Sequence, residues 1–85
     1  MFTNKSKDGR NNLCGEVIEC RRKEMGKSQR QLADMLQIAG LDIDKNAIQR
    51  IEAGKRFITD IELTYFARVL NLSYEVLLDD AGHLR

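Results

Sequence analysis

Two hydroxyl residues, Ser28 and Thr59, are each followed three positions later by a residue that can return the favour, Gln31 and Glu62. In such a box each side chain satisfies a free backbone N–H of the other residue, so the pair fixes where a helix begins. Ile58 and Leu63 bracket the second box as a hydrophobic staple. Asp44 can cap another helix, with Ile43 and Ile48 as its staple, and Ser73 a further one, with Leu72 and Leu77. Stop signals fall between these starts: Gly26, Gly40 and Gly54, plus Asn71, which tolerates the left-handed conformation. None of the 85 residues is proline, so no segment is barred from being helical.

Apolar spacing fills the intervals. Leu13, Cys14, Val17, Ile18 and Met25 give helix 1. Leu32, Ala33, Leu36 and Ala39 give helix 2, over about 29–39. Helix 3 covers about 45–53. Leu63, Phe66, Ala67 and Leu70 point inward from helix 4, and a short helix 5 follows Ser73. No hairpin signal, internal repeat or low-complexity tract interrupts them. The expectation is all-α: a compact five-helix bundle. Residues 1–11 read as a flexible, solubilising arm, although Lys5, Lys7 and Arg10 could reach a phosphate. The folded domain is expected over 12–79 and a frayed tail over 80–85.

With 32% charged and 42% hydrophobic residues, the balance is that of a globular chain. Its length leaves little room for a deep, shaped pocket. There is no Ser-His-Asp or Cys-His arrangement, no Gly-rich phosphate loop and no zinc-ligand spacing. The single histidine, His83, stands in the tail near Asp79 and Asp80, where solvation is the simplest role. An enzyme is therefore not expected, nor a metal or cofactor. No apolar run approaches the roughly 18–20 residues a bilayer needs, and the polar N-terminus lacks the apolar core of a secretory signal. Cys14 and Cys20, six apart on a helix, would sit about 9 Å apart along its axis, beyond the roughly 7 Å a disulfide spans. They read as small, half-buried apolar residues in a reducing cytoplasm.

The net charge is only +1, but it is unevenly spread. Residues 1–56 carry 12 basic and 8 acidic side chains, net +4; residues 57–85 carry 2 and 5, net −3. One side of the protein is thus suited to face an anion. On helix 3, Ala47, Ile48 and Ile51 share one face, and Lys45, Asn46, Gln49 and Arg50 fall on the other. That outer face holds two amides and two cations and no acid. Asn and Gln can bond an adenine edge bidentately; Arg and Lys can bond guanine. A solvated helix face has the same composition, so the neighbours decide. Lys27, Ser28, Gln29 and Arg30 surround the positive end of helix 2, and Lys55 and Arg56 follow helix 3. Phosphate-seeking groups on both sides favour the expectation that helix 3 reads DNA. Arg22 falls on the inner stripe of helix 1 and Glu52 at the margin of helix 3's. The expectation is a partly buried ion pair between them; the alternative is that both reach out to water.

Gly15-x-x-Ile18-x-x-x-Arg22, Ser28-Gln29-x-x-Leu32-Ala33 and Ile48-x-x-Ile51-Glu52-x-Gly54-Lys55-Arg56 follow in order. Leu63-x-x-Phe66-Ala67-x-x-Leu70-Asn71-Leu72-Ser73 and Val76-Leu77-Leu78 complete the series. In spacing and order this resembles the lambda-repressor-like helix-turn-helix family, the Cro/Xre type, across about 13–78. The resemblance implies a helix-turn-helix of helices 2 and 3, with helix 3 in the major groove of double-stranded DNA. It implies that Gln29 holds phosphate, that Lys45, Asn46 and Gln49 read bases, and that Arg22 and Glu52 form a structural ion pair. The connection departs from the family pattern: residues 36–44 carry roughly five extra residues, absorbed by a longer helix 2 and a wider turn. Asp42 and Asp44 bring negative charge towards the DNA side; as a cap, Asp44 is partly offset.

The function expected is a sequence-specific transcriptional regulator, a repressor acting as a homodimer. Candidate dimer contacts are Tyr74, Leu77 and Leu78, whose other possible role is to close the core. The competing expectation is a protein-interaction module of the same fold, an antitoxin or adaptor whose partner is protein.

Overall fold

A computed structural model of the chain describes residues 9–78. Residues 1–8 of the expected arm and the whole expected tail over 80–85, His83 included, lie outside the described residues. Five helices follow one another: α1 (Gly15–Glu24), α2 (Gln29–Ala39), α3 (Lys45–Glu52), α4 (Asp60–Leu70) and α5 (Tyr74–Leu78). No strand occurs among the described residues.

The caps form as local chemistry dictates. Ser28 Oγ accepts from Gln31 N at 3.0 Å, and Ser28 N donates to Gln31 Oε1 at 2.8 Å. Thr59 and Glu62 repeat the exchange at 3.1 and 3.0 Å. Asp44 Oδ1 accepts from Ala47 N at 2.8 Å, and Ser73 Oγ from Val76 N at 3.2 Å. Gly40 ends α2 at φ +114°, a left-handed conformation that costs an L side chain energy. Asn71 ends α4 in the same region, at φ +54°.

The connection from α2, which has 11 residues, to α3 is a tied turn. Leu41 N donates to Leu36 O at 2.9 Å, and Gln37 Nε2 to Ile43 O at 2.7 Å. Backbone groups in this turn that would otherwise lack partners are therefore satisfied.

α2 packs against α3 and α4, while α1 packs against α3, α4 and α5. The core they enclose holds Cys14, Ile18, Leu32, Ala33, Leu36, Ile43, Ile48, Ile51, Phe66, Ala67, Leu70 and Leu77. Arg21 Nε donates to Leu70 O at 2.9 Å, so a cation on α1 closes the C-terminal end of α4.

Several expectations need correction. Leu13 precedes α1 and is exposed, because the helix starts two residues later. Of the two thiols only Cys14 is buried; Cys20 is exposed. Leu77 is 1% exposed and closes the core, whereas Tyr74 and Leu78 are about half exposed, at 52% and 49%. A five-residue helix has little more than one turn, too few residues for periodicity to say which leucine faces in. Arg10 and Asn11, expected in a free arm, are bonded to the end of α3.

Candidate nucleic-acid interface

α3 is amphipathic. Ile48 and Ile51 are fully buried and Ala47 half-buried, while Lys45, Asn46, Gln49 and Arg50 are exposed together on the opposite side. Its first turn contains Lys45 and no acid. A cation there opposes the helix dipole, at a cost of about 0.3–1 kcal/mol. Local helix chemistry would place an acid there instead.

α3 is welded to the rest of the bundle through Glu52, which is 5% exposed. Its Oε2 accepts from Arg22 Nε at 2.7 Å, and its Oε1 from Arg22 Nη2 at 3.0 Å. The same Oε1 accepts from Gln29 Nε2 at 3.0 Å. Arg22 Nη1 donates to Lys27 O at 2.7 Å. One buried bidentate pair thus joins α1, the start of α2 and the end of α3. The hydrogen bonds to Glu52 hold the Arg22 guanidinium above its ordinary pKa, against the opposing effect of burial.

The start of α2 stands beside this network. Gln31 N uses one lone pair of Ser28 Oγ, and the hydroxyl proton is left to donate elsewhere. Gln29 spends one side-chain N–H on Glu52 and keeps its second. Arg30 is exposed and Lys27 half-buried. Lys55, beyond the end of α3, is exposed, and its N–H donates to Arg50 O at 2.8 Å. Among the described residues, none of the ion pairs uses Lys27, Arg30, Lys45, Arg50 or Lys55.

Arg56 is different. Nη1 and Nη2 close on Glu62 at 3.0 and 2.8 Å, and Nη1 also reaches Phe57 O. Its fork is filled inside the protein. The Arg56 guanidinium in turn holds the Glu62 carboxyl below the usual carboxylate range. Asp44 is committed to capping α3, and Asp42 is exposed.

Residues outside the expected set also bear on this surface. Asn12 Nδ2 donates to Ile51 O at 2.9 Å and to Arg56 O at 2.8 Å, and Arg10 Nη2 donates to Glu52 O at 2.7 Å. These contacts span about forty residues and end on backbone carbonyls. No sequence pattern marks them.

The described residues contain no cluster of His, Cys, Asp and Glu that could hold a metal ion, and no helix long and apolar enough to cross a membrane. No curated protein and no solved structure matches the chain. A family model described as helix-turn-helix matches residues 18–77, from the buried stripe of α1 to the last core residue of α5. With the exposed polar face of α3 set behind the capped start of α2, the match identifies the chain as a member of the Cro/C1-type helix-turn-helix family of DNA-binding transcription regulators.

Proposed function

We propose that the protein is a sequence-specific repressor that occupies operator DNA as a homodimer, with α3 in the major groove. The observation that carries this reading is the outer face of α3: four exposed polar side chains, none acidic, opposite the buried Ile48 and Ile51. Lys45, Asn46, Gln49 and Arg50 read base edges. Lys27, Ser28, Gln29, Arg30 and Lys55 hold the phosphates that flank them and fix the register. Arg56 is left out of this set because Glu62 fills its fork. One such helix reads only a few base pairs, so a dimer on two half-sites supplies the missing specificity. Tyr74 and Leu78, joined by the exposed Val76, offer the apolar surface for it. The two reduced thiols suit a cytoplasmic setting.

Binding to a preferred duplex and to a scrambled one, measured over a salt series, tests this reading. Lys55→Ala should weaken both and flatten the salt slope by about one, while Gln49→Ala should change which sequence is preferred. An unchanged preference in Gln49→Ala would remove the base-reading role of α3. The exposed apolar residues of α5 also suit a protein partner. A stable complex with another protein, in a chain whose DNA affinity is nil at low salt, would favour that second reading.

A further inference from the structure

We infer that Arg10 and Asn12 form a clasp that sets the pose of α3, and with it sequence discrimination. Both precede the segment matched by the family model. The inference rests on the reading of α3 as the base-reading helix.

The last carbonyls of a helix have no partner within it. At the end of α3 the backbone N–H groups of Lys55 and Gly54 meet Arg50 O and Ile51 O, while Glu52 O is met from outside and Ile51 O takes a second donor from there. Arg10 Nη2 donates to Glu52 O at 2.7 Å and lies 3.4 Å from Ile51 O. A guanidinium there also complements the negative end of the helix dipole. Asn12 uses its whole amide. Nδ2 donates to Ile51 O and to Arg56 O, and Oδ1 accepts from Gly15 N at 2.8 Å. One side chain therefore ties the start of α1, the end of α3 and the loop beyond it. Asn11 adds a backbone bond to Gly54 O at 2.8 Å and a side-chain bond to Lys55 O at 3.2 Å.

Two glycines make this approach possible. A Cβ on Gly15 would collide with the backbone oxygen of Ile51. A Cβ on Gly54 would lie 2.8 Å from Arg10 Cζ, and Gly54 has φ +78° besides. The clasp is thus packed as well as bonded.

Geometry explains why the far end should respond. α3 has eight residues, about 12 Å of length. A tilt of about 10° about its clasped end moves Lys45 by about 2 Å, well beyond the roughly 0.5 Å tolerance of a preorganised site. Ile48, Ile51 and Glu52 hold the buried face. Arg10 and Asn12 hold the end about which such a tilt would turn.

Asn12→Asp isolates the clasp from the cap of α1. The aspartate keeps an acceptor for Gly15 N and loses the donors to Ile51 O in α3 and to Arg56 O in the loop beyond it. Arg10→Lys keeps the charge and loses the planar fork. Each protein, folded by circular dichroism, is titrated with the preferred duplex and with a scrambled duplex. The readout is the ratio of the two affinities, because a change in charge moves both together. The clasp predicts that the ratio falls about tenfold in Asn12→Asp, the order of one lost bidentate base contact. Arg10→Lys should lower it in the same direction. In the free proteins, amide residual dipolar couplings should report a changed orientation of α3 relative to α4. A ratio within twofold of wild type in both variants would overturn the inference, as would unchanged couplings in both. If the wild type discriminates no duplex, the DNA reading fails on its own, and the couplings alone judge the clasp. If Asn12→Asp does not fold, Arg10→Lys decides by the same two readouts.

Discussion

Replacing Glu52 by alanine removes the acceptor of three hydrogen bonds, two from Arg22 and one from Gln29. Arg22 is 8% exposed, so its Nε and Nη2 would be left charged and unpaired away from water. Removing one partner of a buried pair costs about 3–5 kcal/mol, most of it the burden of the stranded charge. A folded unit of this size has about 4–10 kcal/mol of total stability. The loss is therefore a large share of the whole. In a domain this small it lowers the melting temperature by about 15–30 °C. Thermal unfolding followed by circular dichroism reads it directly. Arg22→Met combined with Glu52→Leu supplies the control. With no charge left to strand, the double variant should recover most of the stability. Melting of Glu52→Ala within about 2 °C of wild type would refute this account of the weld between α1 and α3.

Lys45→Glu should raise stability by about 0.5–1 kcal/mol, because an acid in the first turn of α3 favours the dipole, and should weaken DNA binding more than tenfold; a melt that falls would contradict the first half. The native protein should react quickly with a thiol reagent at Cys20 only, with Cys14 reacting after unfolding. Burial pushes the Cys14 thiol up from 9.0 to about 11, so the unfolded chain ionises it first. Its share of stability, of order 2 kcal/mol, is whole below pH 9 and lost as pH rises from 9 to 11, a loss absent in Cys14→Ala and visible in paired denaturant titrations. Glu62 behaves oppositely: its carboxyl is held low by Arg56, so its contribution exists above the usual carboxylate range and is lost as pH falls through the depressed value. Glu62→Gln should therefore cost about 1 kcal/mol at pH 7 and nothing in strong acid, where the two stability curves should converge.

What could be read from the chain was local. Both capping boxes, the Asp44 cap, the Gly40 stop and the Asn71 turn each depend on residues within four positions of one another, and they recur in the structure where the sequence puts them. The outward set on α3 was legible because eight residues at helical period separate two faces clearly. Arg22 and Glu52 were legible because a charge on an apolar stripe demands a partner. The clasp was not, because Arg10 and Asn12 end on backbone carbonyls, and a carbonyl has no sequence signature. The pairing of Arg56 with Glu62 is hidden for a different reason: Glu62 has a sufficient local partner in Thr59, and its carboxylate serves both. Leu77 and Leu78 are adjacent apolar residues on one turn of helix, and only packing against α1 distinguishes them.

Selection of duplexes from a random DNA pool, followed by sequencing, tests the central claim most directly. The account predicts enrichment of a two-fold symmetric site whose half-sites lie about one helical turn apart. Folded protein that enriches no motif at low salt would contradict it.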